Sequence, residues 1–182
     1  MNDNRVRIIG GAWRSRLIRF PDGQGLRPTP DRVRETLFNW LGQDLTGLTC
    51  LDLYAGSGAL GFEAASRGAK RVVLVERERA THAALAASSK ALNAVQVEVV
   101  KADALEFLRA GGGHYDVIFL DPPFAEDPWT VLFERLAARL APGARVYCES
   151  GTALLPPPGF EELRGARAGQ VYYQLLRQAA HP

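Results

Sequence analysis

The sequence predicts an α/β protein: a seven-stranded, mostly parallel sheet with helices on both faces, preceded by a short β-hairpin. From Leu48 onward, short apolar runs alternate with amphipathic stretches, the pattern of a parallel sheet covered on both sides. Gly56, Gly58 and Gly61 form Gly-x-Gly-x-x-Gly directly between the first such run and the amphipathic stretch after it. Residues 121–124 (DPPF) close a later apolar run, VIFL, and so fall at the carboxyl edge of the sheet, where open α/β folds bind ligands.

The elements follow in order. Residues 5–9 and 13–20 are β-favouring runs split by Gly10, Gly11 and Ala12, which predicts a hairpin with a loop of about three residues. A Pro/Gly stretch over 21–29 leads into residues 31–41, where Val33, Leu37, Phe38 and Leu41 stand at helical spacing, with Thr29 or Asp31 as cap. Strands are expected at 49–53, 71–75, 96–100, 117–120 and 144–149, and helices near 59–67, 78–92, 103–109 and 129–140. After Pro156 to Pro158, residues 160–167 and 170–177 predict a terminal antiparallel pair turning near Gly169. Two units result, a basic hairpin arm over 1–26 and a main domain over 27–182.

Composition limits the function classes. At 182 residues and 47% hydrophobic, the chain can bury a core without disulfides or structural metal. No window approaches the roughly 20 apolar residues of a membrane span, and Met1 to Arg7 lacks an apolar signal core, so a cytoplasmic protein is expected. Cys50 and Cys148 sit in apolar runs without Cys or His partners and read as buried hydrophobes, and no metal site is expected. Net charge is only +2, yet residues 1–34 hold Arg5, Arg7, Arg14, Arg16, Arg19, Arg27, Arg32 and Arg34 against three Asp. Arginine forks onto phosphate and stacks on bases, so this patch suggests nucleic acid, although a solvated hairpin face would look the same. Trp13, Trp40 and Trp129 read as packing residues, and His82, His114 and His181 are isolated.

The glycine motif lies in the loop Tyr54, Ala55, Gly56, Ser57, Gly58, and Glu76 follows about twenty residues on, at the end of the second main-sheet strand, with Arg77 beside it. Glycines admit close approach of a nucleoside, and Glu76 can accept from both ribose hydroxyls. A dinucleotide would fit the same description. Asp52, at the end of the first strand, would repel phosphates and suit a cationic ligand instead. Asp103, after the third strand, can accept from an adenine amine beside the Ala104 amide, or simply cap a helix. In DPPF, Pro122 and Pro123 remove two backbone donors, leaving the Asp121 carboxylate and the Pro122 carbonyl as acceptors. Such a cluster fits an NH₂ group, drawing an aromatic amine toward nucleophilic geometry while Phe124 stacks on the ring. In this order the motifs imply methyl transfer to an amine. An adenine-N6 methyltransferase shares them; an NAD-dependent reductase or an RNA-binding factor that keeps the fold are the other readings.

The residues RIIGG (7–11), RSRL (14–17), RPTPDRVRETLFNWL (27–41), DLYAGSGALG (52–61), Glu76 and DPPF resemble the bacterial RsmD family of 16S rRNA (guanine-N2)-methyltransferases, over nearly the whole chain. The resemblance implies a Rossmann-like class I methyltransferase using S-adenosyl-L-methionine. It implies a guanine of 16S rRNA in the 30S subunit or its precursor as target, with ribosomal proteins bound and the enzyme acting as a monomer. Arg27, Thr29 and Arg32 would close over the cofactor, contact RNA or start the helix, and the hairpin arginines would meet phosphate.

Overall fold

A computed structural model describes residues 4–23 and 26–180. Residues 1–3, 24–25 and 181–182 lie outside it, and with them the ends of the basic arm, the middle of the expected Pro/Gly loop and His181. The chain runs β1 (Arg5–Arg7), β2 (Leu17–Arg19), α1 (Asp31–Leu41), β3 (Thr49–Asp52), α2 (Ala59–Ser66), β4 (Arg71–Glu76), α3 (Arg79–Ala91), β5 (Val97–Lys101), α4 (Ala104–Ala110), β6 (Tyr115–Leu120), α5 (Trp129–Leu136), a 3₁₀ turn (Ala137–Arg139), β7 (Leu140–Ser150), β8 (Phe160–Ala168) and β9 (Val171–Gln178).

The seven-stranded sheet has the order β5-β4-β3-β6-β7-β9-β8. Its first five strands are parallel, and β9 and β8 add antiparallel. Side chains alternate along each central strand, so each feeds two cores. Cys50, Val72, Leu74, Val117 and Phe119 join the layer holding the hairpin, α1, α2 and α3. Leu51, Val73, Ile118 and Leu120 join the layer under α4 and α5. Strand order reverses between β3 and β6, and ligands bind beyond the carboxyl ends at such a switch point.

Several boundaries differ from the sequence expectation. The second hairpin strand begins at Leu17, not at 13, because the intervening residues fold into tight turns, Arg14 N–H donating to the Gly11 carbonyl and Arg16 N–H to the Trp13 carbonyl, and are tied to α2. Ala12 N–H donates to the Ser66 carbonyl (2.7 Å), Trp13 N–H to Ser66 Oγ (2.9 Å), and Ser66 Oγ to the Gly10 carbonyl (2.6 Å). Gly11 is required there: at φ 77° a Cβ would stand 1.9 Å from the Ser66 carbonyl oxygen. Neither Thr29 nor Asp31 caps α1; Pro30 occupies the N-cap, Thr29 bonds elsewhere, and Asp31 pairs with Arg34 in the first turn. The last helix stops at Leu136, and β7 starts at Leu140, four residues early, with an irregular register against β6.

The hairpin is locked to the main sheet through a buried charge cluster. Glu63 of α2, fully buried, accepts from Ile9 N–H (2.9 Å) and Gly10 N–H (2.8 Å) and pairs with Arg34 (3.3 Å) and Arg67 (2.9 Å). Arg34 also donates to the carbonyls of Arg7 (2.9 Å) and Thr29 (3.0 Å). Val6, Ile8 and Ile18 complete the contact in the same apolar cluster as α1 and α2. Trp40 stacks on Tyr173 with ring centroids 5.2 Å apart, and Trp129 lies 6.3 Å from Phe133, both as packing partners.

Candidate active site at the carboxyl ends of the strands

In-register parallel pairing brings the acids that follow the apolar runs to one edge. Asp52 stands opposite Leu74 and Phe119, and Leu120 opposite Cys148, so Glu76 at the end of β4, Asp121 just past β6 and Glu149 near the end of β7 gather on the edge where Asp52 ends β3. The glycine loop is braced by Glu76, whose Oε2 accepts from Gly56 N–H (3.0 Å) and whose Oε1 accepts from Glu78 N–H (2.9 Å). Gly56 and Gly58 take positive φ (53° and 84°), and Ser57 Oγ accepts from Ala59 N–H at 3.3 Å. Gly61 packs so tightly that a Cβ would lie 2.1 Å from Leu74. Its amide donates to Asp52 Oδ2 (3.0 Å). Asp52, 2% exposed, thus lies beneath the loop and holds the start of α2, where the sequence suggests a carboxylate turned to a ligand.

Asp103 caps α4, accepting from Leu105 N–H (2.9 Å) and Glu106 N–H (3.2 Å) through Oδ1. The capping role is therefore real, and Oδ2 is left for another donor. Ala104, in the first turn, presents an amide with no partner inside its helix. Half-buried Tyr54 is pushed up to about 12 by burial and by the charges of Glu126 and Asp103. Arg77 reaches across the mouth from the end of β4 to Glu126 beyond DPPF (2.9 Å).

Pro122 is buried, while Pro123 and Phe124 are exposed. The Phe124 ring, 58% exposed, passes over Gly151 at the end of β7, within 3.7 Å of where a Cβ would be. Burial at the strand ends, then the charges of Glu149 and Asp52, raise the Asp121 carboxyl well above its ordinary value. Glu149 was not singled out by the sequence, though it ends an apolar run (VYC) just as Asp52, Glu76 and Asp121 end theirs. It is 5% exposed, and its Oε2 accepts from Thr29 Oγ1 (3.0 Å) and Tyr147 O–H (3.1 Å). Burial raises its carboxyl too, against those two hydrogen bonds. Three crowded carboxyl groups at one strand edge suit a cation and N–H donors; among the described residues none of these acids belongs to a group placed to hold a metal ion.

Asp52 gives a stability prediction. Its carboxyl is raised to about 7, by burial first. A raised acid favours folding below its unfolded pKa, near 4, and that contribution is lost as pH climbs through 7. Asp52→Asn, whose Oδ1 still accepts from Gly61, is expected to be more stable than the native chain at pH 8 by up to about 4 kcal/mol, with the gap closing near pH 4. Urea unfolding at both pH values measures it; an equal gap at both would contradict it.

On the hairpin, Val6 and Ile18 point inward, while Arg5, Arg7 and Arg19 are exposed on the outer face, Arg5 opposite Arg19. Arg14 and Arg16 are exposed in the connecting loop, Arg16 donating to the Ala91 carbonyl (3.2 Å). Arg27 and Arg32 are exposed on either side of buried Thr29. Arg34 leaves the basic patch: it is 1% exposed and neutralised by Glu63 and Asp31. A groove of about 440 Å³ runs between β2 and α3, floored by Leu17, Phe20, Ala84 and Ala87 and bordered by Arg16 and Arg19.

The family model described as conserved hypothetical protein 95 matches residues 6–177. Precorrin-6y C5,15-methyltransferase from Geobacter metallireducens shares the fold at 17% identity, with TM-score 0.68 over 86% of this chain and 91% of that one. The sheet order is that of the class I methyltransferase fold. Ribosomal RNA small subunit methyltransferase D of Escherichia coli K12 is 42% identical over 97% of this chain and 91% of its own length. The solved structure of yhhF from Escherichia coli superposes with TM-score 0.89 at 41% identity, covering 98% of this chain and all of that one. The chain belongs to the ribosomal RNA small subunit methyltransferase D (RsmD) family.

Proposed function

We propose that this chain transfers a methyl group from S-adenosyl-L-methionine to the exocyclic N2 amine of one guanine in 16S rRNA, in an assembling or assembled 30S subunit. The observation that carries this reading is Asp121 in DPPF. It is a carboxylate with no hydrogen-bond partner among the described residues, beside a glycine loop braced by Glu76. The Escherichia coli relative, a ribosomal RNA small subunit methyltransferase D, supports the choice of small-subunit rRNA.

When bound, S-adenosyl-L-methionine supplies an electrophilic methyl on a sulfonium. Glu76 has lone pairs left for ribose hydroxyls, Asp103 Oδ2 and the Ala104 amide face the adenine edge, and Arg77 and Tyr54 border it. Tyr54, Ala55, Gly56, Ser57 and Gly58 line the path of the nucleoside, and Asp52 keeps that loop on the start of α2. Asp121 and the Pro122 carbonyl accept the two N–H bonds of the amine, Pro123 holds the turn, and Phe124 stacks on a base drawn out of its surroundings. The hairpin arginines Arg5, Arg7, Arg14, Arg16 and Arg19, with Arg27 and Arg32, meet phosphate, and bound ribosomal proteins supply shape that so small an arm lacks.

Two measurements test this. S-adenosyl-L-methionine binding by calorimetry is expected to weaken at least tenfold in Glu76→Ala, the order of a lost charge-assisted hydrogen bond pair; unchanged affinity would remove Glu76 from the cofactor site. Reversing Arg5, Arg7 and Arg19 to Glu is expected to weaken binding of 16S rRNA and flatten its dependence on salt, since fewer counterions are released, with cofactor affinity unchanged. An unaltered salt slope would place the RNA on another face.

A further inference from the structure

We infer that Glu149 is a positioning residue for methyl transfer, a fixed carboxylate beside Asp121 that makes Asp121 the acceptor of the proton the amine releases. The inference rests on the amino-methyltransferase reading above. Pairing of Leu120 with Cys148 carries Asp121, the residue just past β6, level with Glu149, the penultimate residue of β7. Glu149 shares the strand face of Tyr147, two residues before it, and receives hydrogen bonds from the Tyr147 and Thr29 hydroxyls on the same oxygen. Thr29 is itself held by Arg34, which donates to its carbonyl. The RPT segment thus reaches the strand ends through Thr29.

An acid at this depth is costly, and an apolar residue would pack there more cheaply. Burial raises the Glu149 carboxyl, and the two hydroxyl donors counter it by favouring the ionised form. Asp121 has no such donors; facing it are Glu149 and Tyr147 from β7 and Asp52 from β3. A proton entering this group of acids is therefore drawn to Asp121. In the transfer, the N–C bond forms as the C–S bond breaks and its electron pair stays on sulfur. The amine, now cationic, loses one N–H bond; the electron pair stays on nitrogen and the proton passes to the Asp121 carboxylate, then to water. The negative charge of Glu149 strengthens Asp121 for that step.

The test is the pH dependence of kcat with labelled S-adenosyl-L-methionine and 30S subunits from cells lacking this methylation. Asp121 must be ionised to accept, so the rate falls on the acid side of its titration. Glu149→Gln keeps the size and an acceptor but removes the charge. The acid limb is expected to move down by about one pH unit, with kcat reduced and KM for both substrates changed less than about twofold. Glu149→Asp, which keeps the charge, is expected to restore most of the native limb. Should Glu149→Gln fail to fold, Thr29→Val removes one donor, lets Glu149 hold its proton more often, and is expected to move the limb the same way by less. A purely structural Glu149 would lower Tm and leave the acid limb in place, which overturns the inference. Asp121→Ala in the same assay separates the two claims. If it is inactive while the Glu149→Gln limb is unmoved, only the role of Glu149 falls; if it is fully active, the amino-methyltransferase reading falls with it.

Discussion

Asp121→Ala is expected to lower kcat by about 10²–10³-fold, the usual loss when one preorganised partner of the reacting group is removed, while S-adenosyl-L-methionine affinity stays within a few fold. Asp121 accepts no hydrogen bond among the described residues, so the change breaks no internal contact. It also relieves repulsion with Glu149 and Asp52, which raise its carboxyl along with burial. The variant should therefore be at least as stable as the native chain above neutral pH, a residue kept for chemistry at a cost in stability. Single-turnover rates with cofactor binding and thermal unfolding on the same preparation check all three parts. Near-native turnover with intact cofactor binding would remove Asp121 from the reaction.

Glu63→Ala is expected to be the most damaging single change to the fold, costing about 3–5 kcal/mol, a large share of the 5–15 kcal/mol typical of a domain. The carboxylate lies wholly within the protein and compensates Arg34 and Arg67, which are 1% and 9% exposed. Its removal takes the carboxylate from buried Arg67, leaves buried Arg34 with only the exposed Asp31, and takes the acceptors from the Ile9 and Gly10 amides. The hairpin should loosen first, so trypsin cleavage near Arg14 and Arg16 should accelerate before global unfolding. Glu63→Gln, which can still accept from one amide, should fall between. Urea unfolding followed by circular dichroism measures the loss, and a change below about 1 kcal/mol would show that the cluster does not hold the hairpin.

The parallel sheet was readable because its strands are buried on both faces and so appear as continuous apolar runs between amphipathic helices. The glycine loop and DPPF were readable because each sits at a strand end where backbone geometry restricts residue type. The short hairpin strands were not, because the stretch from Gly10 to Trp13 is anchored on Ser66, more than fifty residues away. Thr29 looked like a helix cap because nothing local announces that its hydroxyl turns to Glu149. Arg34 reads from sequence as part of a surface patch because its partner, Glu63, is the lone charged residue of the helix ALGFEAAS. A lone acid in such a helix is a signal for a buried cation elsewhere in the chain. Glu149 carried a similar signal: an acid directly after an apolar strand, as with Asp52, Glu76 and Asp121, is a candidate wherever parallel strands end together.

Subunits from cells lacking this activity, incubated with the protein and labelled S-adenosyl-L-methionine, can be digested to nucleosides and the label separated. Label confined to N2-methylguanosine from one position of 16S rRNA is the expected result; label in N6-methyladenosine, or spread over many positions, would contradict it.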